Sequence, residues 1–263
     1  MTLTSCTASS EQGGLRVAFR TKHNKGMYLT PNLLVMKPTP QPIYLFADSQ
    51  LLFRDEGGEP FLNSIRRRAA RDSPKAAYVG ASNGDAPEFY SIFEAAMEGA
   101  GVRERRMIPR AFRAEDQSFM GEADIILLAG GDVERGWRAF VETGMRELVV
   151  RRYFEGAVLM GVSAGAAQLG LCWPTGKGDS PEGLLETFKL VPFVVDAHDE
   201  GRQWVRLRGA LRLLRGAARG IGIPTGGGMI YYPRGRVEAV RRPLHELSFE
   251  GEAVKESSLP PGR

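Results

Sequence analysis

Ser163 stands between glycines two positions away on either side, in Gly161-Val162-Ser163-Ala164-Gly165. The apolar run Ala157-Val158-Leu159-Met160 precedes it, and the small-residue stretch Ala166-Ala167-Gln168-Leu169 follows. A buried strand that turns sharply into a helix lifts a serine hydroxyl clear of the sheet, the arrangement of a nucleophile elbow. Glycines flank such a turn because neighbouring backbone approaches where a Cβ would clash, and the serine itself sits in a strained conformation. Unpaired N–H groups of the first helical turn then face the oxygen of a carbonyl under attack. Small residues also serve plain strand–helix packing, but the strand-before, helix-after context favours the nucleophile.

A serine hydroxyl needs a base to take its proton, and histidine is the usual one because it titrates near neutrality. The three histidines are His23, His198 and His245. His198 closes the run Val194-Val195-Asp196-Ala197, 35 residues after Ser163, where a strand end would present it. His23 falls in a polar N-terminal stretch and His245 near the C-terminus. The acid that would orient the base is sought between the two, among Asp179, Glu182, Glu186 and Asp196. Asp179 lies in a Gly-rich loop, where backbone N–H groups can hold a short carboxylate, or where it serves only as a turn residue. Asp196 and Asp199 flank the histidine and are expected to point away from it. Gly130-Gly131-Asp132 also follows an apolar run, so Gly131 can bring a second N–H to a reacting carbonyl while Asp132 caps the next helix.

The elements needed to position these residues are those of a doubly wound, mostly parallel α/β sheet with helices on both faces. Ile43–Phe46, Ala76–Val79, Ala123–Leu128 and Ala157–Met160 read as strands, with helices over 60–70, 87–99 and 133–152 between them. Asp85 is the expected N-cap of the helix opening at Pro87. Met229–Tyr232 and Arg236–Val240 read as a hairpin turning at Pro233-Arg234-Gly235. Residues 1–41 form an appendage, with apolar pieces at 15–19 and 27–36 able to make an edge hairpin and a Pro-rich linker after them. The catalytic domain is expected over 42–251, and the tail from 252 is expected to be loose.

The 263 residues carry 35 Lys+Arg against 31 Asp+Glu, a net charge of +4 with no clustered basic stripe. Nucleic acid is not an expected partner. Two cysteines, Cys6 and Cys172, are too few for a disulfide framework or a structural zinc site. No apolar run reaches bilayer length, so the chain is expected to be cytoplasmic and off the membrane. No cofactor or metal is called for. Glycine-rich nucleotide-binding patterns are absent from the sequence.

Taken together, Gly80-Ala81-Ser82 with Pro87-Glu88-Phe89-Tyr90, Ala123-Asp124-Ile125-Ile126 leading to Gly130-Gly131-Asp132, the elbow, and Leu190 to His198 followed by Arg202 resemble the dipeptidase E and cyanophycinase family. These serine peptidases share a class I glutamine-amidotransferase-like fold. The resemblance spans residues 42–240 or so. It implies Ser163 as nucleophile, His198 as base, N–H groups of Gly131 and Ala164 as an oxyanion hole, and Asp179, in Asp179-Ser180-Pro181, as the acid. Family substrates carry aspartyl groups, so the implied partner is a small peptide or aspartate-containing substrate, bound near Asp132 and by Arg202, with Arg135 a second candidate. A homodimer is left open. The chain departs from the pattern at Ala47-Asp48-Ser49, at Gly222-Ile223-Pro224-Thr225-Gly226, where many relatives carry Asp-Glu-Gly, and in a thinned basic cluster with Trp204 and Arg206 loosely placed. Two alternatives follow: a hydrolase tailoring a specialised small peptide, and a non-catalytic binding protein of the same fold.

Overall fold

The computed structural model describes residues 6–11, 14–19, 39–176, 182–251 and 253–262. It comprises two units, residues 1–39 and 40–263. In the first, Cys6–Glu11 pairs antiparallel with Gly14–Phe19. The other apolar piece expected to form a hairpin there, residues 27–36, lies outside the described residues.

Four strands of the second unit, Ile43–Phe46, Lys75–Val79, Ile125–Leu128 and Val158–Val162, are built on short apolar runs, long enough for strands and too short for helices. β1 (Ile43–Phe46), β2 (Lys75–Val79), β3 (Glu104–Ile108), β4 (Ile125–Leu128) and β5 (Val158–Val162) are parallel in the order β1-β5-β4-β2-β3. β6 (Cys172–Thr175) and β7 (Gly183–Glu186) form an antiparallel ribbon. β8 (Phe193–Ala197) and β9 (Arg219–Ile223) run parallel in a second sheet. β10 (Gly228–Tyr231) and β11 (Val237–Val240) add antiparallel to the first sheet beyond β1, making seven strands. β12 (Leu244–Glu250) and β13 (Ala253–Leu259) complete the second, four-stranded sheet.

Central strands are buried on both faces, as parallel strands under helices must be. Ile43, Leu45, Ile126, Leu128 and Leu159 face a core with Met120 of α3 (Ala114–Glu122), Phe140 of α4 (Val133–Thr143), Val149 of α5 (Met145–Phe154) and Leu169 of α6 (Ala164–Leu169). Tyr44, Phe46, Ile125, Leu127 and Met160 face the other core, with Ile65 of α1 (Phe61–Arg66) and Phe93 of α2 (Pro87–Gly99). A third cluster sets Leu207 and Leu211 of α7 (Val205–Leu214) against Val194 and Leu247 of the second sheet.

Several expectations are corrected. The helix read over 133–152 is two helices, parted by Gly144 in the left-handed region at φ 75°. The helix read over 60–70 ends at Arg66, where polar residues succeed its buried face. Asp85 does not cap α2: the cap position is Ala86, and both Asp85 oxygens accept from the Arg110 N–H at 3.1 Å. The tail is not loose, because 253–259 pairs along the whole of β12, from Leu244 opposite Leu259 to Glu250 opposite Ala253. Its backbone bonds are met by that ladder, so the folded unit extends beyond residue 251.

Candidate active site

Three strand ends converge, those of β4, β5 and β8. Ser163 follows β5 at φ 50° and ψ −108°. Its N–H donates to Phe46 O at 2.9 Å, which pins the turn to β1. A Cβ on Gly165 would lie 2.1 Å from Leu128 O, and one on Gly161 would lie 2.6 Å from the Gly165 carbonyl. Both distances are far inside contact, so the two glycines let α6 sit directly on β4 and β5. The small residues read from the sequence have this steric role. Ala164 is the first residue of α6, where a backbone N–H has no intrahelical acceptor.

His198 follows β8 at φ 48°, with its N–H donating to Ile223 O at 2.9 Å. Ser163 Oγ and His198 Nε2 are 2.7 Å apart. With Nε2 accepting from the hydroxyl, Nδ1 carries the ring proton. Ser163 and His198 are both non-glycine residues at positive φ, and backbone held there concentrates at working sites. His245 is occupied elsewhere: its Nδ1 lies 2.7 Å from Glu256 Oε1, and its ring packs on Trp204. His23 lies outside the described residues.

Gly131 ends the β4 loop at φ 132°, where a Cβ would come within 2.3 Å of Ser82 O. Asp132 is the expected cap: its Oδ1 accepts from Arg135 N at 2.7 Å, and its own N–H donates to Ser82 O at 2.9 Å. Arg135 Nε also donates to Ser82 O, at 3.0 Å. Its guanidinium is therefore held by a carbonyl. Gln168, fully buried on α6, donates to Ser82 Oγ at 3.1 Å and Val133 O at 2.9 Å. This network ties the Ser82 turn, α4 and α6 together, which fixes Gly131 relative to Ser163. Sequence reasoning passed over Gln168 and Ser82; the available signal was one glutamine among the alanines of the helix.

The acids divide sharply. Asp179 lies outside the described residues. Glu186 is exposed and pairs with Lys189 at 2.7 Å. Glu182 lines the cavity at Ser163. Asp196 does not point away: it lines the same cavity, because residues two apart on a strand end share a side. Its Oδ1 accepts from Ala197 N at 2.9 Å, while Oδ2 is buried without a hydrogen-bond partner. Burial, with Asp199 adding to it, pushes the Asp196 carboxyl up to about 6.

Glu200, two residues beyond the histidine, was not among the expected acids, all of which precede it. Its Oε1 accepts from Thr225 N at 3.0 Å, and Oε2 is buried without a hydrogen-bond partner. Burial works to raise its carboxyl, but hydrogen bonds, chiefly at Thr225, and the nearby charge of His198 leave it below the ordinary glutamate value. Thr225 belongs to the segment that departs from the acidic pattern of relatives.

Ser163 opens on two cavities. The larger, about 670 Å³, is lined by Gly131, Ala164, Trp173, Asp196 and Arg206 among others. The smaller, about 280 Å³, is lined by Leu52, Phe89, Ile92, Phe93 and Val162 among others. Gly131, Ser163 and His198 border both. Arg202 is not part of either lining; its side chain is 55% exposed, with Nη1 3.8 Å from Asp199 Oδ1. Arg206 takes the position expected of it, its guanidinium 4.8 Å over the Trp173 ring and donating to Pro174 O at 2.9 Å. Trp204 is buried in the core of the second sheet. Among the described residues no group of three His, Cys, Asp or Glu could hold a metal ion, and no helix is long and apolar enough to cross a membrane.

An elbow serine facing a histidine at the carboxyl ends of an α/β sheet is an arrangement that serine hydrolases use. The family model of peptidase family S51 matches residues 45–226, and the chain belongs to that family of serine peptidases. The fold is similar to that of a peptidase from an acI-B1 Actinobacterium, at TM-score 0.65 and 16% identity, covering 86% of this chain and 97% of that one. It is also similar to a Listeria monocytogenes EGD-e protein provisionally named peptidase E, at TM-score 0.56 and 13% identity, covering 77% and 99%. No curated protein matches the sequence.

Proposed function

We propose that this serine peptidase hydrolyses peptide or isopeptide bonds through an acyl-enzyme on Ser163. The observation that carries the reading is the 2.7 Å approach of Ser163 Oγ to His198 Nε2 at the meeting of two cavities. As Oγ attacks the carbonyl carbon, its proton passes to Nε2, and the oxyanion is met by the N–H groups of Gly131 and Ala164. The C–N bond then breaks as Nε2 gives that proton to the leaving amine. Water, deprotonated by the same nitrogen, releases the acid from the serine ester.

Glu200 is our candidate for the acid that holds the ring. One of its oxygens is anchored by Thr225, the other is buried and unsatisfied, and its ionisation responds to His198. A preference for aspartyl substrates, implied by the resemblance, needs a cation beside the scissile bond. Arg206 is the one arginine or lysine among the described lining residues of either cavity, and it is already engaged with Trp173 and Pro174. The proposal therefore rests on the bond cleaved and not on an acidic side chain beside it.

A fluorophosphonate probe tests the nucleophile directly. Wild-type protein is expected to be labelled at Ser163, and Ser163→Ala to be unlabelled while folded. A wild-type protein that refuses the probe, or an alanine variant that still cleaves peptides, overturns the reading.

A further inference from the structure

The described lining of the larger cavity has a charge opposite to the one an aspartyl substrate requires. Asp132, Glu134, Glu182, Asp196 and Asp199 line it, against the single guanidinium of Arg206 among the described residues. Arg206 is also the least available of these groups, since it stacks on Trp173 and donates to Pro174 O. Arg202 approaches Asp199 from outside the lining. Acidic side chains at a protein surface often mean nothing more than solubility, but Asp196 is of another kind, and Asp199 beside it also has an oxygen buried without a hydrogen-bond partner. Asp196 is 6% exposed, lines the cavity wall, and has one oxygen buried without a partner. A buried carboxylate oxygen left unsatisfied is expensive, and its retention points to a partner that arrives from outside. On the other side of Ser163 the smaller cavity is walled by Leu52, Phe89, Ile92, Phe93 and Val162, surroundings that suit an apolar group.

We propose that the larger cavity binds a cationic group of the substrate, an ammonium or guanidinium, with the Asp196 carboxylate as its inner contact and Glu182 and Glu134 nearer the mouth. The proposal rests on the peptidase reading only for where the scissile bond lies. It gives the enzyme a peptide substrate bearing a cation on one side of that bond and an apolar residue on the other. The cation has two chemical sources, a lysine or arginine side chain and a free α-amino group.

Binding to the Ser163→Ala protein separates this inference from the catalytic one, because it needs no turnover. The probes are short N-acetylated peptides pairing phenylalanine with arginine, lysine, citrulline, norleucine or aspartate in both orders, and a Phe-norleucine peptide left free at its N-terminus. Calorimetry is expected to show at least tenfold tighter binding of a cationic member than of its neutral isostere. The N-acetylated arginine and lysine peptides report a side-chain source, and the free-amine peptide reports an α-amino source. The advantage is expected to fall about tenfold in Asp196→Asn and severalfold in Glu182→Gln, a surface change that leaves the fold alone. Equal or tighter binding of the citrulline, norleucine or aspartate peptides overturns the inference, as does an absence of binding by all the cationic ones. Fluorophosphonate labelling of the wild-type protein reads the nucleophile separately, so either conclusion can fail without the other.

Discussion

Replacing Asp196 by asparagine removes one titration from the folded protein and leaves its shape nearly unchanged. The carboxyl ionises at about 6 when folded against an ordinary 3.8, because burial outweighs the opposing hydrogen bond from Ala197 and the charges of Arg206 and His198. A folded value above the unfolded one means that the native state keeps the proton longer. The stability contributed by the protonated group is complete below 3.8 and is lost as pH rises through about 6. At roughly 1.4 kcal/mol per unit, the whole window is worth about 3 kcal/mol, of which about 2 kcal/mol falls between pH 4 and pH 8. Asparagine does not titrate. Its amide N–H, buried where Oδ2 had been, costs roughly 1–3 kcal/mol at every pH and shifts the comparison without changing its slope. Urea unfolding of wild type and Asp196→Asn at pH 4, 6 and 8 is therefore expected to show the variant gaining about 2 kcal/mol on the wild type across that range. Titrating groups that do not interact with Asp196 cancel in the difference, and its charged neighbours His198 and Asp199 add only their altered coupling to it. Parallel stabilities at the three pH values, or a gain in the acid direction, would refute the assignment of Asp196 as a carboxylate held up by burial.

Glu200→Gln is expected to lower kcat by roughly two to four orders of magnitude with a smaller change in KM, and to alter the acid limb of the kcat–pH profile; an unchanged profile assigns the orienting role elsewhere. Gly165→Ala must push α6 off the Leu128 carbonyl, and is expected to cost about 1–3 kcal/mol in urea unfolding and to slow probe labelling at least tenfold. Wild-type stability and labelling together would contradict the packing described for the elbow. Gln168→Ala leaves Ser82 Oγ and Val133 O without their buried donor, with an expected loss of about 1–3 kcal/mol by the same measurement; a neutral result would mean the network does not anchor the Gly131 loop.

The parts of the site that were legible before any coordinates are those where residue type constrains the backbone. Gly161 and Gly165 admit no side chain for a reason local to the elbow, so their spacing around Ser163 carried the geometry with it. His198 was found because only three histidines compete and one follows an apolar run. The acids were not legible in this way, since carboxylates are common and what distinguishes them is tertiary. Glu200 is marked by a backbone N–H from Thr225, 25 residues away, and Asp196 by burial in a wall that several elements build. The resemblance pointed to Arg202, whereas Arg206, four residues further on in the first turn of α7, lines the cavity. The central parallel strands β1, β2, β4 and β5 were readable as continuous apolar runs, whereas the edge strand β3, Glu104 to Ile108, was not, because three of its five residues are charged. β13 was not, because it is largely exposed and polar along its length and is secured by its ladder to β12 instead of by a buried face. Gly144 escaped notice for a simpler reason: one glycine inside a helical pattern is often tolerated, and here it breaks the chain in two.

Among the described residues, the two hollows beside Ser163 share Gly131, Ser163 and His198. On the proposed mechanism, a chain lying across that ridge would be cut at the doorway between two rooms, with one fragment left in each. On the same reading, remodelling the walls on one side would change the taste of the enzyme for one half of its substrate and leave the other half, and the chemistry at the threshold, as they were.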